Sequence, residues 1–174
     1  GYYEHAEGYT PKWTGMEDFK GPIIHPQTWP DDLDIKDKRV VLIGSGATAA
    51  TVVPAIADQC AHVTMVQRSP TFFIPGRNAN ELADTLRQLQ VDEAWIHEIT
   101  RRKVLYDQEI FTQRAMKEPE TVRQELYAGI KAIMGEDYEL APHFTPSYRP
   151  WQQRIAFVPE GDLFAGLLSG KASV

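Results

Sequence analysis

The 174-residue chain has a single cysteine, Cys60, and no apolar run approaching the ~20 residues that a membrane-spanning helix requires. A disulfide framework and a thiolate metal cluster are thereby excluded. Cys60 reads as a small buried hydrophobe in a protein of the reducing cytoplasm. Positive charge is also short: 18 Lys and Arg against 24 Asp and Glu give a formal charge of -6. The basic residues are scattered rather than banked along one face, which argues against a nucleic-acid partner. The histidines His5, His25, His62, His97 and His143 lie far apart with no carboxylate pair framing them, so no metal site is expected. Neither an initiator methionine nor a signal or transit peptide is visible. The opening "GYYEHAEGYT" reads as the continuation of something longer.

What is present divides the chain in two. Residues 1–37 are rich in Pro, Gly, Trp and Tyr without a sustained period, and read as an extended linker with turns. From residue 38 to 174 the pattern is that of an α/β nucleotide-binding domain of Rossmann-like type, with a parallel sheet and a helical insertion over 80–135. "RVVLIG" (Arg39 to Gly44) is a short β-branched apolar run, expected to be a strand buried on both faces. "GSGATAATVVPAIADQ" follows as a glycine turn and helix, and "AHVTMVQR" as a second strand, which together make a βαβ unit. Pro54 inside that helix removes a hydrogen bond, so a kink or an early end is expected there. Helical spacing then runs through Leu82, Leu86 and Leu89, through Trp95, Ile96 and Ile99, and through Val122, Leu126, Ile130 and Ile133. Pro119 is suited to start the last helix and Gly135 to close it. "APHFTPSYRP" reads as loop, "IAFV" as a third strand, "GDLFAGLLSG" as a short helix and "KASV" as the start of a strand.

Gly44, Gly46 and Ala49 spell G-x-G-x-x-A directly after a strand and before a helix. In that context Gly44 makes the tight turn, Gly46 lets the backbone approach a pyrophosphate, and Ala49 lets helix and strand pack closely. The helix N-terminus adds unpaired N–H groups and partial positive charge, with Ser45 and Thr48 on the same turn as further candidate contacts. About 20 residues beyond the glycines an NAD site usually places an acidic residue on the ribose 2′-hydroxyl. Here Gln67, Arg68 and Ser69 stand, with no carboxylate between Gln59 and Asn80. Arg68 and Ser69 offer charge-assisted and hydroxyl hydrogen bonds to a 2′-phosphate, so the expected cofactor is NADP. Tyr127 and Lys131 form Y-x-x-x-K, the pairing of short-chain dehydrogenases. The G-x-x-x-G-x-G of that class is absent, and the two read as neighbours on an exposed helix face.

The linker carries a second pattern. Phe19, Gly21, His25, Trp29 and Pro30 fit F-x-G-x-x-x-H-x-x-x-W-P, with the glycine turn following in the same chain. This combination resembles the fingerprint of the type I Baeyer-Villiger monooxygenases, flavin enzymes that use NADPH and dioxygen to convert ketones to esters or lactones. "GPIIHPQTWPDDLD", "VVLIGSGATAATVVPAIA", "HVTMVQRSPT" and "YRPWQQRIAFVPEGDLF" look like the subgroup that contains the ethionamide monooxygenase.

The resemblance implies that Arg68 and Ser69 hold the 2′-phosphate. It also implies that Arg154, in "QQR", corresponds to the family's active-site arginine, whose charge favours an anionic intermediate. Gln153 stands where many members have a second cation. His25 would lie on the connection between flavin and nicotinamide domains, coupling cofactor binding to domain movement. A chemical role for His25 and a packed linker role remain alternatives. One glycine fingerprint is present, whereas such enzymes need another for FAD, so the chain looks like the NADP-binding domain of a longer parent, inactive by itself. The partners implied are a small ketone or thioether and the flavin domain of the same parent. A nitrogen- or sulfur-oxidising flavin monooxygenase and a non-catalytic nucleotide-binding module are the alternative readings.

Overall fold

The computed structural model describes residues 8–174, so His5 and the first seven residues of the linker segment lie outside it. The elements run β1 (Arg39–Ile43), α1 (Ala47–Ala57), β2 (His62–Val66), β3 (Phe73–Gly76), α2 (Glu81–Gln88), α3 (Glu93–Lys117), α4 (Pro119–Met134), β4 (Ala156–Pro159), α5 (Asp162–Leu168) and β5 (Ala172–Ser173). Ahead of β1, residues 8–38 hold two short 3-10 turns, Met16–Asp18 and Pro26–Thr28, and further turns at 31–32 and 36–37, with irregular chain between them.

β1, β2 and β5 form a parallel sheet in the order β1-β2-β5, with Arg39 opposite His62 and Val63 opposite Ala172. The crossover through α1 produces this arrangement, since parallel neighbours need a connection that returns the chain to the same end of the sheet. "IAFV" does form a strand, but not in this sheet. As β4 it pairs in parallel with β3, Phe73 opposite Ala156, in a separate two-stranded sheet.

The expectation that β1 is buried on both faces is corrected. Val41 and Ile43 are 62% and 63% exposed, and Val66 beside Ile43 is 45% exposed. α1 packs on one face of the sheet, and among the described residues no helix covers the other. Alternation of side chains then leaves every second residue of β1 in solvent.

Of the two alternatives expected at Pro54, the early end is not met: α1 continues three residues past the proline to Ala57. Val53, Ile56 and Ala57 are buried on either side of the proline, and this anchoring to the core outweighs the lost hydrogen bond. The main core joins Val53, Ile56, Cys60, Val63 and Met65 to Phe73, Phe144 and Phe164, whose rings meet edge to face at centroid distances near 6 Å. Cys60 is buried, and desolvation pushes its thiol pKa up, which fits a packing role.

Three helices fill most of 81–134. α4 begins at Pro119, is closed by Gly135 at φ 104°, and buries Val122, Leu126, Ile130 and Met134. Tyr127 corrects the exposed-face reading. It packs against both hydrophobic clusters and stacks on Phe72 at 6.2 Å, while Lys131 donates from Nζ to the Glu136 carbonyl beyond the helix end. The stripe on α2 and α3 is less buried than its spacing suggests: Leu89, Trp95 and Ile99 are exposed, whereas Ile96 is buried.

Candidate functional site

The chain leaves β1 through Gly44, whose φ of 128° is open to glycine but strained for other residues. Gly44 N–H donates to the Val66 carbonyl at 2.8 Å, tying the turn to the end of β2. Gly46 then caps α1 with an extended backbone and no side-chain cap bond, so the first-turn N–H groups of the helix face outward without an intrahelical acceptor. Ala49 is buried between helix and sheet, while Thr48 is exposed. A Cβ placed on Gly46 would meet no protein atom within 4 Å. Its φ of -81° suits any residue. Neither the conformation nor the packing of this chain therefore requires glycine at position 46.

Ser45 lies between the two glycines and is 8% exposed, the buried polar residue of the described core. Its Oγ is 2.9 Å from Thr71 Oγ1 and 3.3 Å from the Ser69 carbonyl, which joins the glycine turn to the loop after β2. On that loop Arg68 and Ser69 are exposed, and neither side chain has a protein partner among the described residues. Gln67 faces inward. Its Nε2 donates to the His143 carbonyl at 2.9 Å, while its Oε1 is a buried acceptor without a partner. Tyr148 Oη donates to the Pro70 carbonyl at 3.1 Å. Burial raises the Tyr148 pKa, opposed by hydrogen bonds from the Phe72 N–H and the Thr71 hydroxyl. The structure thus brings Gly44, Ser45, Gly46, Gln67, Arg68 and Ser69 together around one sheet end. Thr71, His143 and Tyr148 belong to the same assembly and were not singled out from the sequence. A serine held between two glycines was the one available signal.

The linker pattern forms a separate local arrangement. The Phe19 ring folds over Gly21, where a Cβ would come within 2.7 Å of its Cζ, so F-x-G is a packing unit. The His25 ring lies on Gly8 in the same way, a Cβ there falling 2.1 Å from ring carbon. His25 Nδ1 accepts the Gln27 N–H at 3.2 Å and caps the turn Pro26–Thr28. In the neutral ring this puts the proton on Nε2. Trp29 follows at 37% exposure. A cleft of about 350 Å³ beside His25 is lined by Gly8, Thr10, Ile23 and Thr28. No hydrogen bond among the described residues links His25 or Trp29 to the glycine turn. Arg154 stands apart as well, exposed and without an ion pair among the described residues, just before β4. It follows a turn in which Trp151 adopts φ 59° and rests edge-on against Phe111 of α3.

The parallel sheet, the crossover helix and the glycine turn at the sheet end define a Rossmann-like α/β unit. No family model matches the chain. It is 44% identical over its whole length to the FAD-containing monooxygenase EthA of Mycobacterium tuberculosis, covering 36% of that protein. It is 45% identical to the probable FAD-binding monooxygenase AlmA of an Acinetobacter species, covering 35%. Among solved structures, an oxidized steroid monooxygenase bound to NADP matches 96% of the chain and 38% of its own, at 22% identity and a TM-score of 0.67. Cyclohexanone monooxygenase from Rhodococcus sp. Phi1 bound to NADP+ matches 95% of the chain and 38% of its own, at 20% identity and a TM-score of 0.62. These two likenesses concern the fold. Over its whole length the chain is similar to these FAD-containing or FAD-binding monooxygenases, and it spans about a third of the length of the relatives it matches.

Proposed function

We infer that this chain is the NADP(H)-binding part of an FAD-dependent Baeyer-Villiger monooxygenase that inserts oxygen into ketones, giving esters or lactones with NADPH and O2. The observation that carries the reading is Gly46. Nothing in the chain requires a glycine there, whereas a pyrophosphate lying on the first turn of α1 does, because a side chain would occupy the ligand's place. Arg68 and Ser69 suit the 2′-phosphate, being exposed donors without a competing acceptor among the described residues. That solved structures of this fold are complexes with NADP supports the same assignment.

In this reading residues 38–174 form the nucleotide domain, with 80–135 inserted, and residues 1–37 link it to a flavin domain of the same longer protein. FAD, held there, supplies the activation of oxygen with electrons from NADPH. Arg154 stabilises negative charge arising in the reaction, and His25 caps the turn that aims Trp29. The reducing cytoplasm suits the unpaired Cys60.

The Trp29-Pro30 ending favours ketone oxidation over the nitrogen- and sulfur-oxidising alternative. The longer flavin-bearing protein, given NADPH and a molecule containing both a ketone and a thioether, is expected to yield the ester. Sulfoxide as the sole product, measured by mass spectrometry, would support the alternative instead.

A further inference from the structure

The loop from Gln67 to Phe72 is fastened on every side except the one that carries Arg68 and Ser69. Gln67 is held to the His143 carbonyl, Pro70 to Tyr148 Oη, and Phe72 to Ala156, whose N–H donates to the Phe72 carbonyl at 2.8 Å. The buried Phe72 ring meets Tyr148 edge-on at 5.4 Å and lies under the Arg123 guanidinium at 5.5 Å. Thr71 and the Ser69 carbonyl are joined to Ser45 on the glycine turn. Two side chains that reach solvent without a partner therefore stand on a backbone with little freedom left.

We propose that Ser45, Thr71 and Tyr148 are positioning residues for coenzyme selectivity: Ser45 and Thr71 tie the Arg68-Ser69 loop to the glycine turn and Tyr148 holds it at the Pro70 carbonyl, so that the 2′-phosphate is met by a loop already in place. The inference rests on the NADP reading and adds Thr71 and Tyr148, which stand behind the loop and are not among the candidate contact residues. Its physical basis is preorganisation. A loop already held in its binding conformation loses little freedom when the phosphate arrives, and a loosened loop loses more. Thr71 and Tyr148 fasten the loop that carries Arg68 and Ser69, whereas the glycine turn is held separately to the end of β2 by the Gly44 N–H on the Val66 carbonyl. Loosening the loop therefore weakens NADP+ and leaves NAD+ nearly as it was, which separates positioning from a general loss of structure.

The test is calorimetric titration of NADP+ and NAD+ against the wild-type chain, Thr71→Val, Thr71→Ser and Tyr148→Phe, with thermal denaturation of each. Thr71→Val keeps the shape and removes the hydroxyl. It is expected to weaken NADP+ roughly 2- to 10-fold, the range for one neutral hydrogen bond, with NAD+ within two-fold. Tyr148→Phe is expected to act in the same direction, and Thr71→Ser to keep wild-type selectivity. If wild type prefers NADP+ and Thr71→Val and Tyr148→Phe leave the preference unchanged, the positioning role is overturned while the NADP reading stands. If Thr71→Val weakens both coenzymes equally and lowers Tm, the hydroxyl serves only the fold, and the proposal is again overturned. If wild type shows no preference, the NADP reading fails and takes this inference with it.

Discussion

Arg154→Ala in the longer flavin-bearing protein is expected to lower turnover about 100- to 1,000-fold, the loss typical of removing one preorganised stabiliser of developing negative charge, while NADPH affinity stays within a few-fold. The structure makes this substitution clean. Arg154 is exposed, makes no ion pair among the described residues, and follows a turn anchored by Trp151 on Phe111. Truncating such a surface side chain changes stability by no more than about 0.5 kcal/mol. Any large kinetic effect then reports on chemistry and not on folding. A contact made only in the transition state lowers kcat and kcat/KM together, whereas a binding contact raises KM. Steady-state kinetics with Arg154→Ala and Arg154→Lys tell these apart. Wild-type turnover in Arg154→Ala would remove the residue from the mechanism and leave it a loop cation.

Arg68→Ala is expected to weaken NADPH binding about 10- to 150-fold and to leave NADH nearly unchanged. A guanidinium facing a 2′-phosphate makes charge-assisted hydrogen bonds worth roughly 1.5 to 3 kcal/mol, which converts to that range. NADH lacks the phosphate and gains nothing from the contact. Arg68 is exposed, so the ion pair it forms is screened, and the wild-type preference should shrink as salt is raised. In Arg68→Ala that salt dependence should flatten. Ser69→Ala removes a single hydroxyl contact and should cost NADPH on the order of 1 kcal/mol. Equal losses for both coenzymes in Arg68→Ala would assign Arg68 to the fold or to the shared pyrophosphate.

The part of the fold that was legible in the sequence is the part specified by neighbours along the chain. β1, the glycine turn, α1 and β2 are each marked within a few residues, by β-branched runs and by glycines at fixed offsets. α4 is likewise framed by Pro119 and Gly135. β3 was hidden because Pro75 lies inside it and its partner β4 is more than 80 residues away, across three helices. The exposure of Val41 and Ile43 was hidden for another reason. An apolar strand reads the same whether its second face is covered by this chain, by other parts of a longer one, or by nothing. The site divides in the same way. Gly44, Gly46, Arg68 and Ser69 announce themselves by spacing, whereas the pairing of Ser45 with Thr71 spans 26 positions and uses residue types found in any loop.

The central claim is that the glycine turn and the loop beside it form an NADP site, and titration of the 174-residue chain with NADP+ and NAD+ in low salt tests it most directly. The account predicts one NADP+ per chain, bound at least about 10-fold more tightly than NAD+, as expected for one charge-assisted contact to the 2′-phosphate. Binding of neither coenzyme, or of both with equal affinity, would contradict it.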